Sequence, residues 1–398
     1  MRFFEERGLK ERVFADRVLE VERSATLEYD AIAKRPGMIN LTVGRPDFDT
    51  PSVIKEAAKK ALDEGKVHYT PSNGIPELRK AIAEKLEVEN NIPGLNEDNI
   101  IVSGGGKLII YCIIMALAGK GDVVAIQNPT WVSYEAQIRL ANAEVEWLTL
   151  KPEEGFIPGD EFMSQLEATD AKLFILNSPG NPTGAVIPEK RIKEMMDICL
   201  EKEIFVIADE VYEKLIYEGE HYSPASEYEN VITVNAFSKT YSMTGWRLGY
   251  CAHPDREIIE RIGIIHQQSL SCCTSFAQYG ALAAFSADAK DASERFCKEL
   301  KRRRDYVMDR IRKMDGVVCV KPGGAFYLFP YLGHVDDLEL ADELLEKGVG
   351  VVPGSAFGSQ GRGCIRISYG SANLNLLSQA FDRIQDSGFR VHGSRLDI

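Results

Sequence analysis

The sequence predicts an α/β protein with a large, mostly parallel sheet covered by helices and a smaller α+β domain. Between residues 100 and 252, six short apolar runs alternate with segments of helical pattern, which is typical of βαβ units. From about residue 284 this alternation stops, and a long charged helix is followed by short strands. At 398 residues the chain has room for two such domains.

The part of the chain that precedes the sheet is predicted to be mainly helical. Residues 12–35 have the pattern of an amphipathic arm, and residues 39–43 form a short apolar strand that leads into a Gly-Arg-Pro-Asp turn at 44–47. Thr50 is the predicted N-cap of the next helix, and a further helix is expected over residues 76–88.

The six apolar runs are expected to be strands of one sheet. In an open α/β sheet, ligands bind beyond the carboxyl ends of the strands, so the residues at those ends are the ones to inspect for a site. The runs cover residues 100–102, 123–126, 173–176, 204–208, 231–234 and 248–252.

The second domain is predicted from four further segments. A charged helix is expected over residues 291–314, a strand over 326–329, and a helix over 337–347 that stops before a glycine. Residues 364–368 alternate, so that Arg366 faces away from its isoleucine neighbours and toward the cleft.

A glycine nest follows the first of the six runs. Gly104, Gly105 and Gly106 stand between a predicted strand and a helix that begins at Lys107, and such a turn points free N–H groups at one spot, which suits an anion. Leu108 stands where a P-loop needs Ser or Thr, and no third glycine completes a dinucleotide fingerprint. The nest by itself is equally well explained as a tight turn.

Two cations lie near the end of the run at 231–234. Lys239 sits at the mouth of a strand, where an amine can be desolvated and kept partly neutral, as a nucleophile requires. Arg247 suits a bidentate grip on a phosphate. Considered alone, both residues would be ordinary solvated surface cations.

Other strand ends supply the groups that would hold an aromatic ring. Asp209 ends an apolar run and would be satisfied by a protonated ring nitrogen, while Tyr212 and Asn181 could bond a ring oxygen and Trp131 could stack on the ring. Each residue also has an ordinary structural explanation as a cap, turn or core residue. Together with Lys239 and the two groups that suit a phosphate, the glycine nest and Arg247, these residues match one ligand, pyridoxal phosphate.

Composition indicates a soluble enzyme. The net charge of −13 argues against a nucleic-acid partner, and no apolar stretch is long enough to cross a membrane. Residues 1–11 lack the apolar core of a secretion signal. The eight cysteines are scattered without metal-ligand spacing, so we expect no metal, reduced thiols and a cytoplasmic location.

Over nearly its whole length the sequence resembles the class I aminotransferases, which are pyridoxal-phosphate enzymes of fold type I. The resemblance implies a seven-stranded large domain, which we expect over residues 48–285, and a small domain formed by 1–47 and 286–398. The segments that carry it are 41–50 (LTVGRPDFDT), 69–79 (YTPSNGIPELR), 177–184 (NSPGNPTG), 209–212 (DEVY), 238–249 (SKTYSMTGWRLG) and 365–368 (IRIS).

The same resemblance implies a role for each candidate residue. Lys239 would carry the Schiff base and move the proton, with Asp209 and Tyr212 as the other catalytic groups. Ala236 departs from the serine or glycine usual in the family, which removes a possible phosphate hydrogen bond. The cofactor would contact Gly105, Gly106, Lys107, Trp131, Asn181, Ser238, Arg247 and, from the partner subunit of a homodimer, Tyr69; the substrate would contact Gly44, Arg366, Asn181, Trp131, Lys107, Ser24 and Thr26.

The substrate hypothesis is L-aspartate with 2-oxoglutarate. Lys107 could face a distal carboxylate, because a cation at a helix N-terminus is unfavourable unless an anion compensates it. Ser24 and Thr26 resemble the segment that approaches this carboxylate in bacterial-type aspartate aminotransferases. Arg45 stands where glutamate is often found, which would broaden the specificity.

Three alternatives remain open at the level of sequence. An aromatic or broad-specificity aminotransferase and a carbon–sulfur β-lyase would use the same set of residues. A pyridoxal-phosphate-dependent transcription regulator would need a basic helix-turn-helix domain before the fold, and the acidic chain begins only a short arm before Gly44.

Overall fold

The computed structural model describes residues 13–333 and 335–386. Its strands form a seven-stranded sheet, a three-stranded sheet and a two-stranded sheet. In chain order they are β1 (Ile39–Asn40), β2 (Ile100–Ser103), β3 (Val123–Asn128), β4 (Glu144–Thr149), β5 (Leu173–Asn177), β6 (Phe205–Asp209), β7 (Val231–Ala236), β8 (Gly249–Ala252), β9 (Tyr327–Leu328), β10 (Val349–Gly350), β11 (Val352–Pro353) and β12 (Ile365–Ser368).

Helices cover the large sheet and complete the smaller part of the fold. In chain order they are α1 (Asp16–Leu19), α2 (Ala25–Ala33), α3 (Ser52–Asp63), α4 (Pro76–Asn90), α5 (Gly106–Leu117), α6 (Ser133–Leu140), α7 (Asp160–Ala168), α8 (Glu189–Glu201), α9 (Phe237–Thr240), α10 (Arg256–Leu270), α11 (Ser275–Leu282), α12 (Ala287–Ile311), α13 (Asp337–Glu346) and α14 (Leu374–Asp386).

The large sheet confirms the predicted, mainly parallel α/β architecture. Its strand order is β2-β8-β7-β6-β5-β3-β4, and β8 alone runs against its two neighbours. Alternate residues of β3, β5 and β6 contact two separate apolar clusters, one on each face of the sheet. Strands that are buried on both faces need apolar side chains at every position, which explains the continuous apolar runs.

The sequence missed strand β4. It pairs only with β3, at the edge of the sheet, and its first residue, Glu144, is exposed. An edge strand borders solvent, so it tolerates charged side chains and gives no continuous apolar run.

Two helix starts differ from prediction. Thr50 does not cap α3, because its hydroxyl donates to the Ser242 carbonyl at 2.8 Å and Pro51 takes the N-cap position. The long charged helix α12 begins at Ala287, four residues early, because the Ser286 hydroxyl accepts from the Ala289 N–H at 3.4 Å and caps it.

The N-terminal arm is not one helix. Helices α1 and α2 are separated by residues 20–24, and Ser24 is the N-cap residue of α2. The first residue of the predicted arm, residue 12, lies outside the described residues. The break brings an extended segment toward the carboxyl edge of the large sheet, where Ser24 and Thr26 line a cavity.

The smaller part of the fold packs around its own core. Strand β12 lies between β11 and β9, and β1 pairs with β10, so the residues near the start of the chain join those near its end. Apolar side chains of β9, β12, α12, α13 and α14 form one cluster. This packing places Arg366, on β12, at the edge of the cleft.

Two sequence expectations concern the chain ends and membranes. Among residues 13–333 and 335–386, no helix combines the length and the apolarity that crossing a membrane requires. The interpretation of residues 1–11 lies outside the described residues, as do the last twelve residues of the predicted small domain.

Candidate active site

A cavity of about 330 Å³ lies at the carboxyl edge of the large sheet. It is where the parallel strands end, as the sequence predicted. The predicted site residues that line it are Ser24, Thr26, Gly44, Gly106, Lys107, Trp131, Asn181, Asp209, Tyr212, Ser238, Lys239, Arg247 and Arg366; Arg45 and Ala236 line it as well.

Two predicted residues do not line the cavity. Gly105 is the residue immediately before α5 and belongs to the glycine nest. The Tyr69 side chain is 93% exposed and does not contact the site of its own chain. Its role across a subunit interface therefore stays a prediction.

Lys239 is held at the centre of the cavity by the short helix α9, which follows β7 directly. Its ammonium donates to the Gly44 carbonyl. Burial, with Arg366 and Arg247 nearby, lowers the pKa of Lys239 to about 8, while Asp209 opposes this change. A substantial fraction of the amine is therefore neutral near pH 8, as nucleophilic attack requires.

Asp209 lies at the end of β6 with its carboxylate fully buried. Burial raises its pKa to about 6, although hydrogen bonds from the Tyr134 hydroxyl at 2.5 Å and the Val211 N–H at 3.4 Å favour the ionised form. No cation of the described residues forms an ion pair with this buried carboxylate. A protonated ring nitrogen would therefore stabilise its ionised form strongly.

Tyr134 is a site residue that the sequence analysis missed. Its hydroxyl is the group that fixes Asp209, and its ring packs edge-on against Trp131 with the centroids 5.3 Å apart. Tyr134 lies in the first turn of α6, and in the sequence it has no feature that distinguishes it from a core aromatic residue.

Tyr327, on β9, is a second missed residue. Its hydroxyl lies 2.8 Å from the Tyr212 hydroxyl, which joins the smaller part of the fold to the predicted catalytic phenol. A Cβ on Gly44 would stand 2.2 Å from the Tyr327 oxygen, so any larger residue would have to displace the buried Tyr327 side chain. This close approach is the physical reason for the glycine in the Gly-Arg-Pro-Asp turn.

Arg366 is 1% exposed and stands between the rings of Tyr327 and Phe357, 4.7 and 4.8 Å from their centroids. Its guanidinium donates to the Asn181 side-chain oxygen at 3.0 Å and to the Thr42 carbonyl. Its Nε has no partner, and no carboxylate in the described part of the chain pairs with it. A buried guanidinium with donors to spare is an anion site.

The glycine nest and Arg247 come together although they are far apart in sequence. Gly105 has a φ of +102°, and a Cβ there would lie 2.5 Å from the Arg247 Nη2. The guanidinium donates to the Thr244 and Gly104 carbonyls at 2.9 and 3.2 Å. The N-terminus of α5 and a cation thus meet at one point, which suits a phosphate.

Arg247 reaches this point because β8 is antiparallel. Gly249, at the start of β8, pairs with Ser103 and Ala236, at the ends of β2 and β7. The residues before β8 therefore share the cavity edge with the residues after the parallel strands.

Lys107 lies in the first turn of α5, with its ammonium 5.0 Å from the centroid of the Trp131 ring. Burial and then the charge of Arg247 lower the pKa of Lys107. The Thr26 hydroxyl, which lines the same cavity, is buried without a hydrogen-bond partner among the described residues. These groups are free to contact a ligand.

The cavity is strongly basic within an acidic protein. Asp209 is the one acidic residue among the described residues that line it, against five basic ones: Arg45, Lys107, Lys239, Arg247 and Arg366. Such a site concentrates anions, and a ligand with several negative charges suits it best.

Comparisons with known proteins identify the family to which the chain belongs. The profile of the family "Aminotransferase class I and II" matches residues 36–384. The chain is 43% identical over 380 residues to a probable aspartate/prephenate aminotransferase of Aquifex aeolicus, covering 91% of this chain and 95% of that one. It is 44% identical over 337 residues to a probable aspartate aminotransferase of Methanocaldococcus jannaschii, covering 83% and 88%.

A solved structure leads to the same family. The aspartate aminotransferase of Thermus thermophilus, determined with maleate, superimposes with a TM-score of 0.89 at 36% identity, covering 94% of this chain and 99% of that one. The predicted fold type is confirmed by this similarity. The chain belongs to the class I and II aminotransferase family.

Proposed function

We propose that the protein is a pyridoxal-phosphate-dependent aminotransferase that converts L-aspartate and 2-oxoglutarate into oxaloacetate and L-glutamate. The observation that carries the proposal is the set of cations in one cavity. Lys239 and Arg247 are assigned to the cofactor. Of the three cations that remain, Arg366 and Lys107 are assigned to the two carboxylates of a dicarboxylic substrate, and Arg45 has no assigned role.

The residues present fit the cofactor. The nest at Gly105 and Gly106 and the Arg247 guanidinium would hold its phosphate, and Asp209 would hold its ring nitrogen. Tyr212 and Asn181 would hydrogen-bond its ring oxygen, and Ser238 and Trp131 would complete the pocket. When bound, the cofactor supplies an electron sink for the carbanion formed at the substrate α-carbon.

The chain itself supplies binding, orientation and proton transfer. Arg366 would bind the α-carboxylate together with Asn181 and the Gly44 backbone. Lys239, whose pKa of about 8 lies near the working pH, would take the proton from the α-carbon and hold it until it is returned. Asp209 would keep the ring nitrogen protonated.

Dicarboxylate specificity is supported by Lys107 and by the relatives. The Aquifex, Methanocaldococcus and Thermus relatives are named for aspartate, and the Thermus structure was determined with maleate, which carries two carboxylates. The Aquifex name also includes prephenate, another dicarboxylate. Lys107 and Thr26 offer polar groups that the cofactor does not require.

An absorbance screen tests the proposal directly. L-Aspartate is expected to bleach the visible band of the purified holoenzyme. After 2-oxoglutarate is added, the amino group is expected to appear in L-glutamate. Bleaching by an aromatic amino acid but not by L-aspartate would favour an aromatic aminotransferase. Release of pyruvate and ammonia from a sulfur-containing amino acid would identify a β-lyase.

Replacing Lys107 with methionine is expected to raise the KM for L-aspartate about 30-fold, because an ion pair with the distal carboxylate is lost. The KM for L-alanine, which has no distal carboxylate, is expected to stay within about twofold. Steady-state kinetics with both donors check this. An equal rise for both substrates would place Lys107 on the cofactor instead of on the substrate.

Replacing Tyr134 with phenylalanine is expected to lower kcat/KM about tenfold, because Asp209 loses the hydroxyl that stabilises its charge. The control is Tyr228→Phe, which removes a similar contact to the exposed Asp197 at 2.7 Å, outside the cavity. Equal losses in both variants would show that Tyr134 acts only on stability.

We also propose a cytoplasmic homodimer with Tyr69 reaching the partner's phosphate site. The proposal is supported by the exposure of Tyr69 and, for the compartment, by eight free cysteines that suit a reducing environment. Sedimentation equilibrium distinguishes a dimer from the 44.3 kDa single chain.

A further inference from the structure

Four charged side chains form a buried cluster behind the turn that carries Asp209 and Tyr212. They are Lys85 on α4, Glu210 and Glu213 on the turn after β6, and His221 on the following loop. Lys85 pairs with Glu213, and the His221 Nε2 lies 2.9 Å from Glu210 and 3.8 Å from Glu213. The side chains of Lys85, Glu210 and Glu213 are less than a tenth exposed.

Two neutral side chains connect the charged ones. The Asn90 amide donates to Glu210 at 3.0 Å and to Glu213 at 2.8 Å, and its oxygen accepts from Lys85 at 2.7 Å. The Ser223 hydroxyl donates to the other oxygen of Glu210 at 2.7 Å. Every carboxylate of the cluster is therefore satisfied, which is what keeps a buried polar network stable.

The cluster has the donor set of a metal site, because ligand atoms of Glu210, Glu213 and His221 lie within 4.8 Å of one another. The Lys85 ammonium already contacts Glu213, however, and a protonated His221 contacts Glu210. Two cations then balance two carboxylates, and no further cation is required.

The cluster and the active site use opposite sides of the same short turn. Asp209 and Tyr212 line the cavity, whereas the next residue after each of them, Glu210 or Glu213, belongs to the cluster. The turn is also tied by its backbone, since the Glu213 N–H donates to the Glu210 carbonyl at 2.9 Å. The charge on Glu210 acts on Asp209 and raises the pKa of its carboxyl.

We propose that Lys85 and His221 are positioning residues that neutralise Glu210 and Glu213 and thereby set the electrostatic potential at Asp209 and the cofactor ring. The proposal rests on the cofactor site described above. If either cation is removed, an uncompensated carboxylate remains directly behind Asp209, and the potential at the ring becomes more negative.

The surroundings of His221 favour its protonated form. Burial by itself lowers the pKa of His221, but Glu210 and Glu213 outweigh burial and raise it above its ordinary value of 6.5. The Glu213 pKa is about 2, because Lys85 and His221 outweigh the effect of burial. The other ionisable groups around the cluster are Glu89 on α4, Lys214 on the turn, Tyr241 after α9, Tyr250 on β8 and Lys290 on α12.

The test follows the visible absorbance of the bound pyridoxal phosphate as a function of pH, without substrate. His221→Gln removes a positive charge, so the protonated form of the bound cofactor is favoured and the midpoint is expected to rise by about 0.5 pH unit. Glu210→Gln removes a negative charge, and the midpoint is expected to fall by a similar amount. Opposite signs distinguish an electrostatic role from a loss of packing, which would move both variants in one direction.

The matched control is His253→Gln. His253 is a buried histidine just after β8, and its two ring nitrogens hydrogen-bond backbone groups: the Glu229 carbonyl at 2.9 Å and the Asp255 N–H at 3.1 Å. The pH midpoint of the cofactor absorbance in this variant is expected to equal that of the wild type. Should His221→Gln fail to fold, Lys85→Met removes the same sign of charge and is expected to shift the midpoint upward.

The outcomes separate the two proposals. Midpoints that stay at the wild-type value in both charge variants, or that shift in the same direction, overturn the role of the cluster and leave the cofactor assignment standing. A wild-type protein that gains no visible band with pyridoxal phosphate overturns the proposed function, and the role of the cluster with it.

Discussion

Replacing Lys239 with alanine is expected to lower kcat for transamination of L-aspartate by at least about 10⁵-fold, because the amine is both the nucleophile and the proton carrier. The visible band of the bound cofactor is expected to disappear, while the fold is retained. Steady-state kinetics and absorbance of the purified variant check both effects. The matched control is Lys172→Ala, which removes a surface lysine that bonds Asp122 at 3.1 Å.

The lowered pKa of Lys239 also determines how fast the cofactor-free protein is expected to incorporate pyridoxal phosphate at different pH values. Only the neutral amine attacks the aldehyde, and the Lys239 pKa is about 8. The rate of incorporation is therefore expected to rise about tenfold per pH unit below 8 and to level off above it. A rate that keeps rising to pH 10, as for an ordinary lysine with a pKa of 10.5, would contradict the lowered pKa.

Replacing Asp209 with asparagine is expected to lower kcat/KM about 10³-fold, because an amide cannot keep the ring nitrogen positively charged in the transition state. The expected effect on stability has the opposite sign. The Asp209 pKa is raised from 3.8 to about 6 by burial, so the cofactor-free protein loses stability as the pH rises from 3.8 to about 6 and the carboxylate ionises. The variant should therefore gain at most about 3 kcal/mol at pH 8.

Urea unfolding of the cofactor-free protein at pH 5 and pH 8 measures this gain, which should be about half as large at pH 5 as at pH 8. The control is Asp337→Asn, because Asp337 is also buried but accepts backbone N–H groups of Ser355 at 2.7 Å and Gly363 at 3.3 Å. That variant is expected to lose stability and keep activity. Loss of stability at Asp209 as well would show that its burial is already compensated.

The sequence by itself determined the sheet and the chemistry. Strands buried on both faces need uninterrupted apolar residues, so six of the seven large-sheet strands could be predicted from their apolar runs. The rule that ligands bind at the carboxyl ends of such strands then pointed to Asp209, Asn181 and Lys239. Edge strand β4 was not predicted, because it borders solvent and can carry Glu144 and Glu146, which interrupt the apolar run.

Residues that act by contacting other site residues could not be identified from the sequence. Tyr134 and Tyr327 look like ordinary core aromatics, and only the packed structure places their hydroxyls on Asp209 and Tyr212. The same holds for Lys85 and His221, which are 128 and 8 residues from Glu213 and meet it only after folding.

The tertiary structure also decided which side chains share a point in space. Arg247 precedes its strand, and it joins the glycine nest because β8 runs against its neighbours, a direction that apolar periodicity does not encode. Arg366 comes from a separate sheet and reaches Asn181 because β1 and β10 tie the two ends of the chain together. Local pattern determines which residues can form strands and carry charge; contacts between distant segments determine which of those charges act together.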